Sequence, residues 1–107
     1  SGQYVNLRKI APQPIYLKFY DYDKYYVLDY KNLKFGFLEE SSVGHTRVAG
    51  ILPLEEFESF LKFDWGADTL NVTAAFEKHN DKVWSVLMMY RDLLYERIDF
   101  KKLEGYE

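Results

Sequence analysis

Ser41, Ser42 and His45 place hydroxyls and an imidazole within five residues of one another, the beginnings of a nucleophile and a base. Such a pair also needs hydrogen-bond reach and a carboxylate to orient the base, and this spacing supplies neither. The segment reads as a polar loop between strands. Glu39 and Glu40 could divide general acid and general base work, but neighbours on a strand point to opposite faces, so they read as a charged strand end. His45 and His79 are the only histidines and there is no cysteine, so no metal-ligand spacing exists. No glycine-rich phosphate loop is present. The expectation is a non-catalytic protein with no catalytic residues, no metal and no cofactor.

A second arrangement points to binding. Residues 15–20 alternate strictly: Ile15, Leu17 and Phe19 fall on one side and Tyr16, Lys18 and Tyr20 on the other. If helices cover the first side, the second is open. Lys34 and Gly36 join it from the next-but-one strand by the same alternation, Arg47 and Ala49 from a fourth. Tyr26 and Tyr30, or alternatively Tyr25, join it from the second. Rings between cations over a floor of small residues are what single-stranded nucleic-acid binders use, since bases stack on the rings and cations follow the backbone.

The elements that would position these residues form an α+β fold. Strands are expected over 15–20, 25–30, 33–38 and 45–51, separated by turns at 21–24 and 31–32, the latter with Asn32 left-handed, and by a polar loop over 39–44. Short connections between consecutive strands argue for a four-stranded antiparallel meander. Two or three helices then pack on one face. Pro53 opens the first, with Glu55 and Glu56 at its positive end and Trp65-Gly66 at its stop. Residues 68–80 read as a second, short helix. Asp81 caps the last, over 82–98, where Val83, Leu87, Tyr90, Leu94 and Ile98 recur at helical spacing. The whole divides into an extended arm over 1–14, one domain over 15–100 and a charged tail over 101–107. Ile15, Leu17, Phe19, Phe35 and Phe37 read as core.

Composition limits the partners. Ten Tyr and eight Phe make the chain 19% aromatic, too many rings for all to be buried, because each buried phenol needs a hydrogen-bond partner. The net charge is −3, so a global basic footprint is absent. Its distribution is uneven: residues 1–35 balance to +3 and residues 36–107 to −6. The absence of cysteine fits a reducing, intracellular compartment, and no apolar run is long enough for a membrane span. The last helix is apolar beyond one stripe. Trp84, Met88, Met89 and Tyr95 could serve a protein interface or a homodimer through that helix, or the helix could simply be central in a monomer. Glu39, Glu40, Glu55, Glu56, Glu58, Asp64 and Asp68 crowd the middle of the chain, a solvated acidic face or a grip for a basic partner.

One stretch, residues 24–61, resembles the Pur-alpha-type repeat, and resembles Whirly-like and related coactivator single-stranded DNA binders about as well. The similar pieces are Lys24-Tyr25-Tyr26, the strand from Lys34-Phe35 to Glu40, Arg47, Leu52-Pro53 and Glu56-Phe57. The resemblance implies a four-stranded sheet with a helix that binds single-stranded DNA or RNA as a pair of repeats. Lys18, Tyr26, Lys34 and Arg47 are the contacts it carries over. Phe37 stands where the family favours a basic residue, and the helices from Asp68 onward have no counterpart. The leading expectation is a single-stranded nucleic-acid-binding domain using Tyr16, Lys18, Tyr20, Tyr26, Lys34 and Arg47. The alternative is a protein-interaction or inhibitor module with an acidic helical face.

Overall fold

Alternation in residues 15–19 fixes which side of the first strand is dry, and the computed structural model packs the main core on that side. It describes Lys9 and residues 11–95, apart from His45, Asp64 and Ala74. Residues 1–8 and 10 of the expected arm over 1–14, the end of the last helix at 96–98 and the charged tail lie outside the described residues. Strands β1 (Ile15–Phe19), β2 (Tyr25–Asp29) and β3 (Lys34–Leu38) are followed by a one-turn helix α1 (Glu40–Val43) and strand β4 (Gly50–Leu52). Then come helices α2 (Leu54–Lys62) and α3 (Gly66–Val72), the short strand β5 (Glu77–Lys78) and helix α4 (Val83–Tyr95).

The architecture is α+β, as the pattern of the sequence indicates, but the sheet is mixed and five-stranded, in the order β3-β2-β1-β4-β5. β1, β2 and β3 form the expected antiparallel meander. β4 departs from it. Instead of returning beside β3, it runs parallel to β1, with Leu17 opposite Gly50 and Phe19 opposite Leu52. The reason is local. Where a polar loop is expected, Glu40–Val43 closes a helical turn, buries Val43 and redirects the chain towards β1. Residues 68–80 also depart from a single short helix. The chain is helical only to Val72, and Glu77–Lys78 pair antiparallel with β4.

Leu17, Phe19, Tyr26, Leu28, Tyr30, Phe35 and Leu52 meet Phe57, Phe60, Leu70, Val86, Leu87 and Tyr90 from the helices in one core, which also takes up Ala11. Each fully buried Leu or Phe contributes about 1.5–3 kcal/mol by leaving water. Phe37, expected in this core, is 46% exposed. It shares the core side of the sheet with Phe35, but Tyr90 of α4 stacks on Phe35 at 5.1 Å, whereas Phe37, towards the far end of the outermost strand, packs beside the rings of Phe19, Tyr22 and Tyr26. The start of α2 is held from the β1–β2 turn, where Asp21 accepts a hydrogen bond from the Leu54 amide at 3.0 Å. Just ahead of α4 the Asn80 side-chain oxygen accepts from the Lys82 amide at 2.8 Å and its carbonyl from the Val83 amide at 3.0 Å. In the turn before β3 the left-handed residue is Leu33, with φ 55°, and not Asn32. Asn32 gives its backbone and side-chain N–H groups to the Asp29 carboxylate, at 3.1 and 2.9 Å.

Candidate functional site

Strand pairing sorts the candidate residues by face. Tyr16 lies opposite Val27, and Val27 opposite Gly36; Lys18 lies opposite Ile51, and Asp29 opposite Lys34. Since alternate residues share a face, Tyr16, Lys18, Tyr25, Val27, Asp29, Lys34, Gly36 and Ile51 form the side turned away from the main core. Val27 and Val43 are buried yet stand outside the main core cluster. The turn of α1 covers part of this face and leaves a pocket of about 270 Å³, lined by Tyr16, Val27, Asp29, Lys34, Gly36, Phe37, Leu38 and Ser42.

Within that face Tyr16 is half-buried and Lys18 and Lys34 are exposed. Tyr16 and Lys34 thus reach one pocket from different strands, with Gly36 as its floor. Lys18 follows two residues along β1, about 6.6 Å from Tyr16 at the usual strand rise. The acids beside these cations already have partners. Asp29 is buried and holds Asn32, Glu39 pairs with Lys24 at 3.3 Å, and Glu77 lies 3.5 Å from His79. Among the described residues, Lys18, Lys34 and Arg47 make no salt bridge.

Tyr20 sits just past β1 and is 51% exposed. Its hydroxyl donates to a carboxylate oxygen of Glu77, two strands away. That hydrogen bond to an anion, with some desolvation and the negative charge itself, pushes the phenol up to about 12. Tyr20 therefore offers a ring to solvent while its hydroxyl is engaged. Arg47 is exposed but belongs to a different pocket of about 240 Å³, shared with Gln13, Pro14, Ile15, Val48, Ala49, His79 and Asn80.

Tyr26 is not on the open face. Its register partners are Leu17 and Phe37, which puts it on the core side. It is 4% exposed, and its hydroxyl lies 2.7 Å from that of Tyr90. Tyr30 is likewise in the core, donating to the Val86 carbonyl at 2.8 Å, and burial pushes its phenol up. Tyr25, the alternative for this strand, takes the outward place.

The helix residues named for a protein interface are partly taken up internally. Trp84, Met88 and Met89 are half-buried against the core. The Trp84 ring lies 6.2 Å from that of Phe60, with the Lys78 ammonium 5.5 Å from its centre. Tyr95 is the last residue of α4. A surface the sequence does not advertise lies between α2 and α3. Phe63 and Trp65 stack at 4.7 Å, nearly parallel at 4°, and are 43% and 56% exposed. The Phe63 carbonyl accepts from Arg91 at 2.7 Å, and the Phe60 carbonyl from the same guanidinium at 3.0 Å, so a buried cation fixes the end of α2 beside the stack. Only the expectation of a helix stop near Trp65 hints at this surface.

Ser41 and Ser42 are exposed on α1, and His45 lies outside the described residues. Among the described residues there is no cluster of three or more metal-ligating side chains, and no helix is long and apolar enough to cross a membrane. Comparison with known proteins finds no matching family model, no matching curated protein and no matching solved structure.

Proposed function

We propose that the chain is a non-catalytic, intracellular domain that binds single-stranded nucleic acid on the open face of its sheet. The observation that carries this reading is the Tyr16–Gly36–Lys34 pocket with Lys18 beside it. A ring, a small floor and two cations that make no salt bridge among the described residues share one face, where Asp29, Glu39 and Glu77 already have partners. A base stacks on Tyr16, Gly36 lets it approach the sheet, and Lys18 and Lys34 meet the phosphates on either side. The resemblance of residues 24–61 to Pur-type repeats supports the same ligand class. Tyr26 has no direct part in this site, Tyr20 extends the same face past Lys18, and Arg47 belongs to a separate pocket.

Fluorescence anisotropy of short labelled DNA and RNA oligonucleotides at low salt tests the reading. Binding at or below tens of micromolar protein is expected, since a stacking groove at low salt exceeds that strength. An unchanged signal at that concentration overturns it.

A second reading has its own observation. The exposed Phe63–Trp65 stack is a rigid aromatic anchor of the kind that dominates protein interfaces, and exposed Glu55 and Glu58 on the preceding helix add negative charge. A basic protein partner fits that surface. Trp65→Ala then abolishes partner binding and leaves oligonucleotide binding intact, which separates the two readings.

A further inference from the structure

The sheet ends in two edges that are treated differently. At one end β5 has only two residues, Glu77 and Lys78, both charged and exposed. Short, charged edges are how sheets avoid adding strands. At the other end β3 is five residues long, and all five are paired with β2 on one side. Among the described residues no strand pairs with its other side. It has no proline, and its only charge is Lys34 at the start.

This edge is also apolar. Phe37 is 46% exposed, and its ring lies 5.5 Å from that of Tyr22, itself 38% exposed, and 5.0 Å from that of Tyr26. The exposed rings of Phe37 and Tyr22 thus leave the β3 end of the sheet apolar on its core side.

We infer that β3 is a self-pairing edge, onto which a second copy of this chain adds its own β3 antiparallel. Charge selects this occupant. Lys34 opens the strand and Glu40 follows its end, and among the described residues neither makes a salt bridge. An acidic partner strand would answer Lys34 and oppose Glu40, and a basic one would do the reverse. An antiparallel copy answers both. A two-fold axis at Gly36 sets Phe35 opposite Phe37 of the second copy, and Lys34 opposite Leu38 with Glu40 on the diagonal. Long side chains reach across that diagonal. Every residue then faces one of the same parity, so the backbone groups that β2 leaves free on one copy meet those left free on the other. The inference stands apart from the nucleic-acid reading. Lys34 is common to both surfaces, which therefore compete for it, and the test is run without nucleic acid.

Sedimentation velocity over roughly 1–500 µM spans the range in which so small an interface associates. A reversible monomer–dimer equilibrium is expected for the wild-type chain. Phe37→Lys, Lys34→Glu and Glu40→Lys should each weaken it about tenfold or more, and the double variant Lys34→Glu/Glu40→Lys should return it to near the wild-type value. Circular dichroism of each variant confirms that the fold is kept. A wild-type chain that stays monomeric at the highest concentration overturns the inference. So does a dimer indifferent to Phe37→Lys, or one that the double exchange fails to restore.

Discussion

The hydroxyls of Tyr26 and Tyr90 lie 2.7 Å apart in the interior, one carried by β2 and the other by α4. A polar contact in so apolar a setting fixes how the helix is placed on the sheet, because any sliding of α4 would strand a buried phenol. The same contact removes Tyr26 from any direct ligand role. Tyr26→Phe and Tyr90→Phe should each cost about 1 kcal/mol in urea denaturation, and a double-mutant cycle should show coupling of at least about 0.5 kcal/mol. Oligonucleotide affinity of Tyr26→Phe should equal that of wild type. A loss of affinity without a loss of stability would return Tyr26 to the binding face.

Two glycines should respond to alanine for opposite reasons. At Gly66 a methyl group would stand 2.2 Å from the Ser59 carbonyl oxygen and 2.7 Å from Cα of Phe60, both backbone atoms that cannot step aside. Gly66→Ala should therefore separate α3 from α2 and cost about 3 kcal/mol or more. At Gly44 nothing lies within 4 Å, but φ is +64°, with ψ −132°. This conformation is nearly closed to other residues, so Gly44→Ala should cost about 1–3 kcal/mol from backbone strain alone. Thermal or urea unfolding of the two variants checks both values. A neutral Gly66→Ala would mean that the two helices do not meet as described.

How much of this was readable in advance varies element by element. Strict alternation in residues 15–19 names the buried side of β1, and Leu17 and Phe19 are indeed in the core. Pro53 followed by two glutamates marks the start of α2 correctly, because it rests on local sterics and the helix dipole. What local pattern cannot supply is which strands become neighbours. β4 returning beside β1 depends on a single turn at α1 and on long-range packing of Leu52, and neither has a signature in a short window. The same limit explains Phe37 and Tyr26. Both share the core side by register, yet an edge position exposes the first while Tyr90 and Phe57 close over the second. Arg91, a buried cation satisfied by the carbonyls of Phe60 and Phe63, is invisible until α2 and α4 are brought together.

Tyr20 gives the alkaline stability a definite sign. Its phenol rises from the ordinary 10.0 to about 12 in the folded chain, chiefly because the protonated hydroxyl donates to Glu77. A proton held more tightly in the folded state favours folding wherever the unfolded phenol would also keep it, and the benefit fades once the folded phenol ionises. The contribution is therefore fully present below pH 10 and disappears as the pH rises to about 12. Tyr30, pushed up by burial, adds loss in the same direction from about pH 10 upward, equally in both proteins. The urea midpoint of wild type should fall further across this window than that of Tyr20→Phe, with phenolate absorbance reporting the ionisation. Parallel curves for the two proteins would mean that the Tyr20–Glu77 contact does not hold in solution.

Stacking and charge make separable contributions to the proposed nucleic-acid site, and salt tells them apart. Lys34, on the rim of the Tyr16 pocket, and Lys18, on the same face, would meet phosphates, and each phosphate contact to a single strand adds about 0.7 to the dependence of log affinity on log salt. Lys34→Gln and Lys18→Gln should each lower that slope by about this amount and weaken binding at low salt, with little effect on stability because both side chains are exposed. Tyr16→Ala should leave the slope unchanged and remove about 1–3 kcal/mol of affinity at every salt concentration, since it deletes a stacking surface and no charge. Tyr16→Phe keeps the ring and should bind nearly as wild type. If Tyr16→Phe fails as badly as Tyr16→Ala, the hydroxyl and not the ring makes the contact, and the stacking arrangement is wrong. If the two lysine variants leave the slope untouched while binding persists, the strand lies elsewhere on the molecule, with Arg47 and its separate pocket as the next place to look.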